Sequence, residues 1–217
     1  MRTATWIALT AVFMSPAASL ACTGPHTVRE ADPAEVAAFF AAQGRMVLTF
    51  VGYSGAGYEN PAEMLEQVGA ILDQVDPDTH IVNIGATEDG IGAAYTLAKQ
   101  RGFTTTGVVS SQAQQANATL SPCVDIVFYV PDAQWGGYID QTGELSPTST
   151  AMVQNSDLIV AIGGGSVARD ELNAAREWGK PTRFIPADLN HAVAIEKARA
   201  KGRPEPSDFR GAAGVAE

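Results

Sequence analysis

Basic side chains are scarce in this chain. Fourteen lysines and arginines stand against 24 aspartates and glutamates, a net charge of −10. Nucleic acids and other polyanions are held by a positive field, so a generic polyanion binder is excluded and no nucleic-acid partner is expected. Cysteine is scarcer still: Cys22 and Cys123 are the two present. They cannot build a disulfide framework or a four-cysteine zinc site. The three histidines, His26, His80 and His191, are scattered and lack acidic partners at ligand spacing. No metal site is expected, and no cofactor is assigned. No apolar run reaches the roughly 18 residues that span a bilayer.

Apolar surface, in contrast, is plentiful. Hydrophobic residues make up 46% of the 217 and charged residues 18%, which excludes disorder for most of the chain. The length corresponds to about one to one and a half domains.

The N-terminus reads as an address. Arg2 precedes a short apolar core, residues 6–14 (WIALTAVFM), and Ser15 and Pro16 break it. Ser19 and Ala21 place small residues at the −3 and −1 positions of a cut after Ala21, the pattern of a secretory signal peptide. The domain then spans residues 22–200, followed by a tail, 201–217, whose prolines and glycines predict flexibility. The expected location is periplasmic or secreted. Cys22, the first residue after the cut, has two fates: a lipid anchor, the only membrane contact expected, or a disulfide with Cys123 in an oxidising compartment. A free, buried Cys123 is the third arrangement.

Between these ends, apolar strands alternate with helices. Strands are predicted at 46–51 (MVLTFV), 80–84, 103–110, 124–130, 158–162 and 182–186. Helices are predicted at 35–43, with Asp32 as N-cap and Pro33 in the first turn, at 60–75, 90–100, 169–178 and 190–200. Residues 112–122 and 131–149 read as irregular. Buried strands separated by amphipathic helices give an α/β fold: a Rossmann-like, doubly wound, mostly parallel sheet in three αβα layers.

Three glycine-rich turns follow strands: Gly52-Tyr53-Ser54-Gly55-Ala56-Gly57, Gly85-Ala86-Thr87-Glu88-Asp89-Gly90, and Gly163-Gly164-Gly165-Ser166. In an open parallel sheet, ligands bind at the carboxyl ends of the strands. Glycine lets the backbone approach a ligand, and helix N-termini present free N–H groups to an anion. The candidate ligand residues are therefore Gly52, Ser54, Gly55, Gly85, Thr87, Gly90, Gly163, Gly164, Gly165 and Ser166.

Two segments carry a resemblance. Residues 82–109 (VNIGATEDGIGAAYTLAKQRGFTTTGVV) resemble the second unit of the SLOG superfamily, the Rossmann-like group that includes the LONELY GUY phosphoribohydrolases and the DNA-processing proteins. Residues 156–181 (SDLIVAIGGGSVARDELNAAREWGKP) are similar to its Ser-Asp-strand-Gly-Gly-x-Gly-Thr-x-x-Glu-helix-Gly-Lys-Pro element. The resemblance implies a nucleotide-derived or phosphosugar ligand and puts Glu171 at the family's catalytic acidic position. It also exposes departures. Val167 and Ala168 replace Gly-Thr, and Thr148 and Ser149 stand where the phosphoribohydrolases carry arginine and lysine before Met152. Glycosidic cleavage needs charge placed against the transition state, and Glu171 alone is an incomplete set. The reading that follows is a ligand-binding protein, with a phosphoribohydrolase-like enzyme or a structural envelope protein as alternatives.

Other patterns are weaker. Gly163-x-Gly165-x-x-Ala168 with Asp188 matches a dinucleotide fingerprint but comes too late in the chain. Tyr95-x-x-x-Lys99 has dehydrogenase spacing on the wrong helix. Gly52-Tyr53-Ser54 misses a serine-hydrolase elbow by one residue, Ala56, with His191 and Asp125 or Asp188 as its conceivable partners. The segment Trp135-Gly136-Gly137-Tyr138 reads as a loop anchored by aromatics, or as a lid over a ring.

Export has a direct test. N-terminal sequencing of the mature protein should begin at Cys22; a start at Met1 in the envelope-free cytosol would exclude the signal-peptide reading.

Overall fold

The computed structural model describes residues 22–215; the signal-peptide reading lies outside them. Seven strands form one sheet in the order β1-β5-β4-β3-β2-β6-β7: β1 (Thr27–Glu30), β2 (Met46–Gly52), β3 (His80–Ile84), β4 (Thr104–Ser110), β5 (Ile126–Val130), β6 (Leu158–Ile162) and β7 (Thr182–Ile185). All neighbouring pairs are parallel. The fold is thus the expected Rossmann-like α/β architecture. The helices are α1 (Pro33–Gln43), α2 (Pro61–Leu72), α3 (Ala94–Gln100), α4 (Gln112–Gln115), α5 (Pro147–Gln154), α6 (Ser166–Glu177) and α7 (His191–Ala200). No described helix is long and apolar enough to cross a membrane.

Local chemistry sets the helix starts. Asp32 Oδ1 accepts from the Glu35 N–H at 2.9 Å, and Glu35 Oε2 accepts from the Asp32 N–H at 2.9 Å, a reciprocal cap with Pro33 in the first turn. Asn60 and Asn190 cap α2 and α7 through their side-chain oxygens, which accept from the Glu63 and Val193 N–H groups. Alternation along the strands then sorts the core into two faces. Leu48, Phe50, Val82 and Ile84 pack with α2 and α3. Val47, Ile81 and Val108 pack with α1 and α5, and Val51 and Ile159 with α6.

The central strands also carry a polar seam beneath α5. The Thr106 hydroxyl donates to Asn83 Oδ1 at 3.0 Å. The Asn83 amide reaches Met152 Sδ at 2.9 Å and Thr49 Oγ1 at 3.4 Å. Thr49 and Ser156 share a 2.6 Å hydrogen bond, and the Ser156 hydroxyl also donates to the Met152 carbonyl. Each member is buried and has a partner, so the seam fixes α5 on the sheet at little desolvation cost.

Four features depart from the sequence reading, the smallest being α4, a single helical turn inside the stretch 112–122 expected to be irregular. The edge strand β1 was not predicted, because its four residues are exposed and lack an apolar run. Tertiary contacts hold it: pairing with β5, and the Arg29 guanidinium over the Phe128 and Phe39 rings. α5 starts at the end of the stretch 131–149 expected to be irregular and runs on through residues for which no element is predicted. Ser146 caps it and Pro147 starts it, but its buried face includes Thr148 and Ser149, so no hydrophobic period marks it. The tail expected to be loose docks instead. The Tyr53 hydroxyl donates to the Arg210 carbonyl at 2.7 Å, the Ala213 N–H donates to the Gly164 carbonyl, and Ala213 is buried against α6.

Cys22 and Cys123 form a disulfide across 101 residues, just before β1 and just before β5. The sulfur that a thioether lipid would need is engaged there. Closing so long a loop restricts the unfolded chain strongly. Cys22→Ala, Cys123→Ala and the double variant should therefore lose a similar amount, about 2–4 kcal/mol each. Denaturant unfolding checks this; additive losses in the double variant would mean that the two thiols act separately.

Candidate functional site

The chain runs outward from β2 through β3 and β4 to β5, then crosses back to place β6 on the other side of β2. This reversal opens a crevice at the carboxyl ends of the strands. A cavity of about 370 Å³ lies there, at the ends of β2, β3 and β4, under α5 and α6. Its walls are largely apolar: Phe50, Val51, Ile84, Ile91, Val108, Val109, Met152, Val167 and Ala168, with the exposed Trp135 at its border.

Six of the expected site residues border this cavity: Gly52, Ser54, Gly55, Gly85, Thr87 and Glu171. The other five do not. Gly90 lies where the second turn passes beneath the first. Its φ is +57°, and a side chain there would collide with the Tyr53 and Ser54 carbonyls. The neighbouring Ile91 N–H donates to the Tyr53 carbonyl at 2.7 Å. Gly163 packs on the Tyr53 ring and Gly164 against Ala168 and Ala213. Gly165 is the N-cap residue of α6 and Ser166 is exposed. The C-terminal segment thus lies against Gly164 of the third turn.

The second turn is held by Tyr95, whose hydroxyl donates to the Thr106 carbonyl at 2.8 Å and accepts from the Ala86 N–H at 3.1 Å. Ala86 is in the left-handed region (φ 65°), a costly conformation for a residue with a Cβ. Gly107 on β4 leaves room for that Cβ. Lys99 pairs with Asp125 at 2.9 Å. Tyr95 and Lys99 therefore support the sheet edge, and their dehydrogenase-like spacing brings no shared site. His191 lies 3.1 Å from Asp188 and 3.8 Å from Glu59 and stacks on Phe209. Asp188 and Glu59 line a separate cavity of about 350 Å³, whereas Ser54 borders the first, so no Ser-His-Asp constellation assembles. Among the described residues, no group of three His, Cys, Asp or Glu side chains is placed to hold a metal ion.

The residues that sequence reading missed come from α5 and the loop before it. Thr148 and Met152 border the cavity. Ser149 donates to Glu171 Oε1 at 2.7 Å and accepts from the Gly137 N–H at 2.8 Å. Asp132 receives the Thr148 N–H at 2.9 Å, and Asp170 receives the Tyr138 N–H at 3.1 Å, so the loop is tied to both helices. Their signal was faint: Thr148 and Ser149 were noticed only as replacements for an arginine and a lysine. Among the described residues no lysine, arginine or histidine borders the cavity, and its ionisable groups are Asp89 and Glu171. Glu171 is 4% exposed. Burial pushes its pKa up from 4.5 to about 7, with Asp170 adding to the rise and the Ser149 hydrogen bond opposing it.

No family model matches the chain, and no curated protein matches it. Solved structures do share its fold. The molybdenum cofactor binding protein from the phototrophic bacterium Rippkaea orientalis is 18% identical, with a TM-score of 0.50 over 73% of this chain and 85% of that one. The Moco carrier protein from Chlamydomonas reinhardtii is 20% identical, with a TM-score of 0.46 over the same shares, 73% and 85%. At these identities the likeness is one of Rossmann-like fold.

An acid whose folded pKa lies above its unfolded value holds its proton more tightly when folded. The contribution of Glu171 to stability therefore falls as pH rises from about 4.5 through about 7. Glu171→Gln keeps an acceptor for Ser149 and removes the ionisation. The variant should gain on the parent by about 1–3 kcal/mol between pH 4 and pH 8. Unfolding curves at pH 4, 6 and 8 test this; a difference that stays flat with pH would show that Glu171 ionises freely in the folded chain.

Proposed function

We propose that this chain is an exported, SLOG-like protein that binds a nucleotide-derived small molecule in the cavity at the ends of β2, β3 and β4. The observation that carries the reading is the composition of that cavity: largely apolar walls around about 370 Å³, with Ser54, Thr87 and the two glycine turns from the strand ends and Glu171 from α6. The apolar walls favour a ring-bearing ligand over a bare phosphosugar. With no cationic side chain on the walls, a phosphate would depend on backbone N–H groups of the turns. The disulfide supports an oxidising compartment.

The solved neighbour from Rippkaea orientalis is a molybdenum cofactor binding protein. Among the described residues the cavity has two carboxyls, no cation and no cluster of three metal-ligating side chains. Its side chains do not fit a metal-bearing cofactor, and no chemistry is assigned through one. A phosphoribohydrolase would have to work with Glu171 alone, because Thr148 and Ser149 supply no positive charge against a leaving base. The binding reading therefore stands ahead of the enzymatic one.

Native mass spectrometry of the purified protein should show a bound small molecule, or its uptake from a nucleoside panel. Gly85 offers a clean block. It borders the cavity, nothing lies within 4 Å of the place its Cβ would take, and it has no positive φ. Gly85→Phe should fill the cavity and weaken binding at least about tenfold, or 1.4 kcal/mol, with an unchanged far-UV spectrum. Unaltered binding would move the site elsewhere. Release of free base from nucleoside monophosphates, lost in Glu171→Ala, would instead favour the enzyme.

A further inference from the structure

At the end of the cavity between α5 and α6, two buried side chains retain hydrogen-bonding capacity that the protein does not use. Thr148 is 4% exposed, and its Oγ1 has no hydrogen-bond partner among the described residues. Burying a hydroxyl unpaired is costly, and such atoms are rare in folded proteins. Glu171, facing the same cavity from α6, is equally buried. A carboxylate offers about four acceptor sites, and Ser149 occupies one of them at 2.7 Å. The Ser149 oxygen is itself held by the Gly137 N–H, so the serine is fixed as a donor to Glu171. The adjacent Asp170 is already committed to Arg169 and to the Tyr138 N–H. Among the described residues no lysine, arginine or histidine borders the cavity, so the remaining Glu171 lone pairs are open to donors that a ligand brings.

Resting on the ligand-binding reading above, we propose that this end of the cavity recognises the edge of a flat nitrogen heterocycle that presents two adjacent N–H donors and a neighbouring carbonyl. The Glu171 carboxylate takes the two N–H groups, and the Thr148 hydroxyl donates to the carbonyl. A guanine-type 2-amino-lactam edge has this donor-donor-acceptor order, and Phe50, Val108, Met152 and Val167 give its faces apolar contact. A buried carboxylate with no cationic neighbour on the cavity discriminates strongly here. A ligand lacking the donors leaves the carboxylate unpaired, and one presenting an acceptor meets it with repulsion.

Titration calorimetry with guanosine, inosine and adenosine tests the assignment. Inosine lacks the exocyclic amine, and adenosine reverses the donor and acceptor order. The parent should bind guanosine at least about tenfold tighter than either. Glu171→Gln should abolish that preference. Thr148→Val should weaken guanosine several-fold while leaving guanosine ahead of inosine. Equal binding of the three nucleosides, all blocked by Gly85→Phe, would overturn the edge assignment and leave the ligand-binding reading intact. So would a co-purifying molecule without such an edge that Gly85→Phe excludes. No binding of any nucleoside, together with no co-purifying molecule, would overturn both. Circular dichroism and thermal unfolding of the variants separate loss of recognition from loss of fold.

Discussion

An all-parallel sheet sends every strand out at the same edge, and each return must cross a face of the sheet. That constraint governs the rest of this structure. It requires helices on both faces, so the strands are apolar on both sides, and it brings the turns after β2, β3 and β4 to one edge. The reversal of strand order between β2 and β6 then leaves that edge open at its middle. The cavity is the geometric product of the topology, and the glycine turns are the means by which the chain leaves each strand without filling it.

The cavity's chemistry depends on where α5 sits. The seam linking Thr49, Asn83 and Thr106 to Met152 and Ser156 docks this short helix on the central strands. A one-sided apolar contact would let a helix of this length slide, whereas a chain of buried polar groups has one arrangement in which all are paired. That arrangement puts Ser149 against Glu171 and Thr148 on the cavity wall. The loop tied to Asp132, Asp170 and Ser149 then brings Trp135 to the cavity border.

Burial gives Glu171 its character. In water its carboxyl would be ionised throughout the neutral range; among apolar walls its charge is disfavoured, and Ser149 only partly offsets this. The cavity thus combines largely apolar walls with a buried, directional acceptor in Glu171. Small-molecule sites are commonly built this way, with broad affinity from apolar contact and orientation from one or two polar groups. The third glycine turn shows the opposite outcome. Gly163 and Gly164 have positive φ values, and their lack of side chains admits Tyr53, Ala168 and Ala213 at close range.

Short-range chemistry was enough to determine much of this protein from sequence. The runs at 46–51, 80–84 and 158–162 are apolar on both faces, and Asp32-Pro33 and Asn60-Pro61 are starts that only a helix uses, so the parallel α/β class and most of its elements follow locally. The turns holding Gly52, Ser54, Gly85 and Thr87 were legible for the same reason: glycine after a buried strand marks the edge of such a sheet. What tertiary structure alone decided has no local signature. β1 is exposed on all four residues and exists because β5 and two aromatic rings receive it. α5 buries Thr148 and Ser149 along with Val153, and Ser149 finds its partners in Glu171 of α6 and the Gly137 N–H, contacts that no local pattern encodes. Residues 203–215 carry the composition of a loose tail and are held by the carbonyl of Gly164 and the hydroxyl of Tyr53. Glu171 lies in the charged run Arg169-Asp170-Glu171, which reads as solvated. Its burial is set by Ser149, 22 residues away, and by helix packing that no periodicity in either segment encodes.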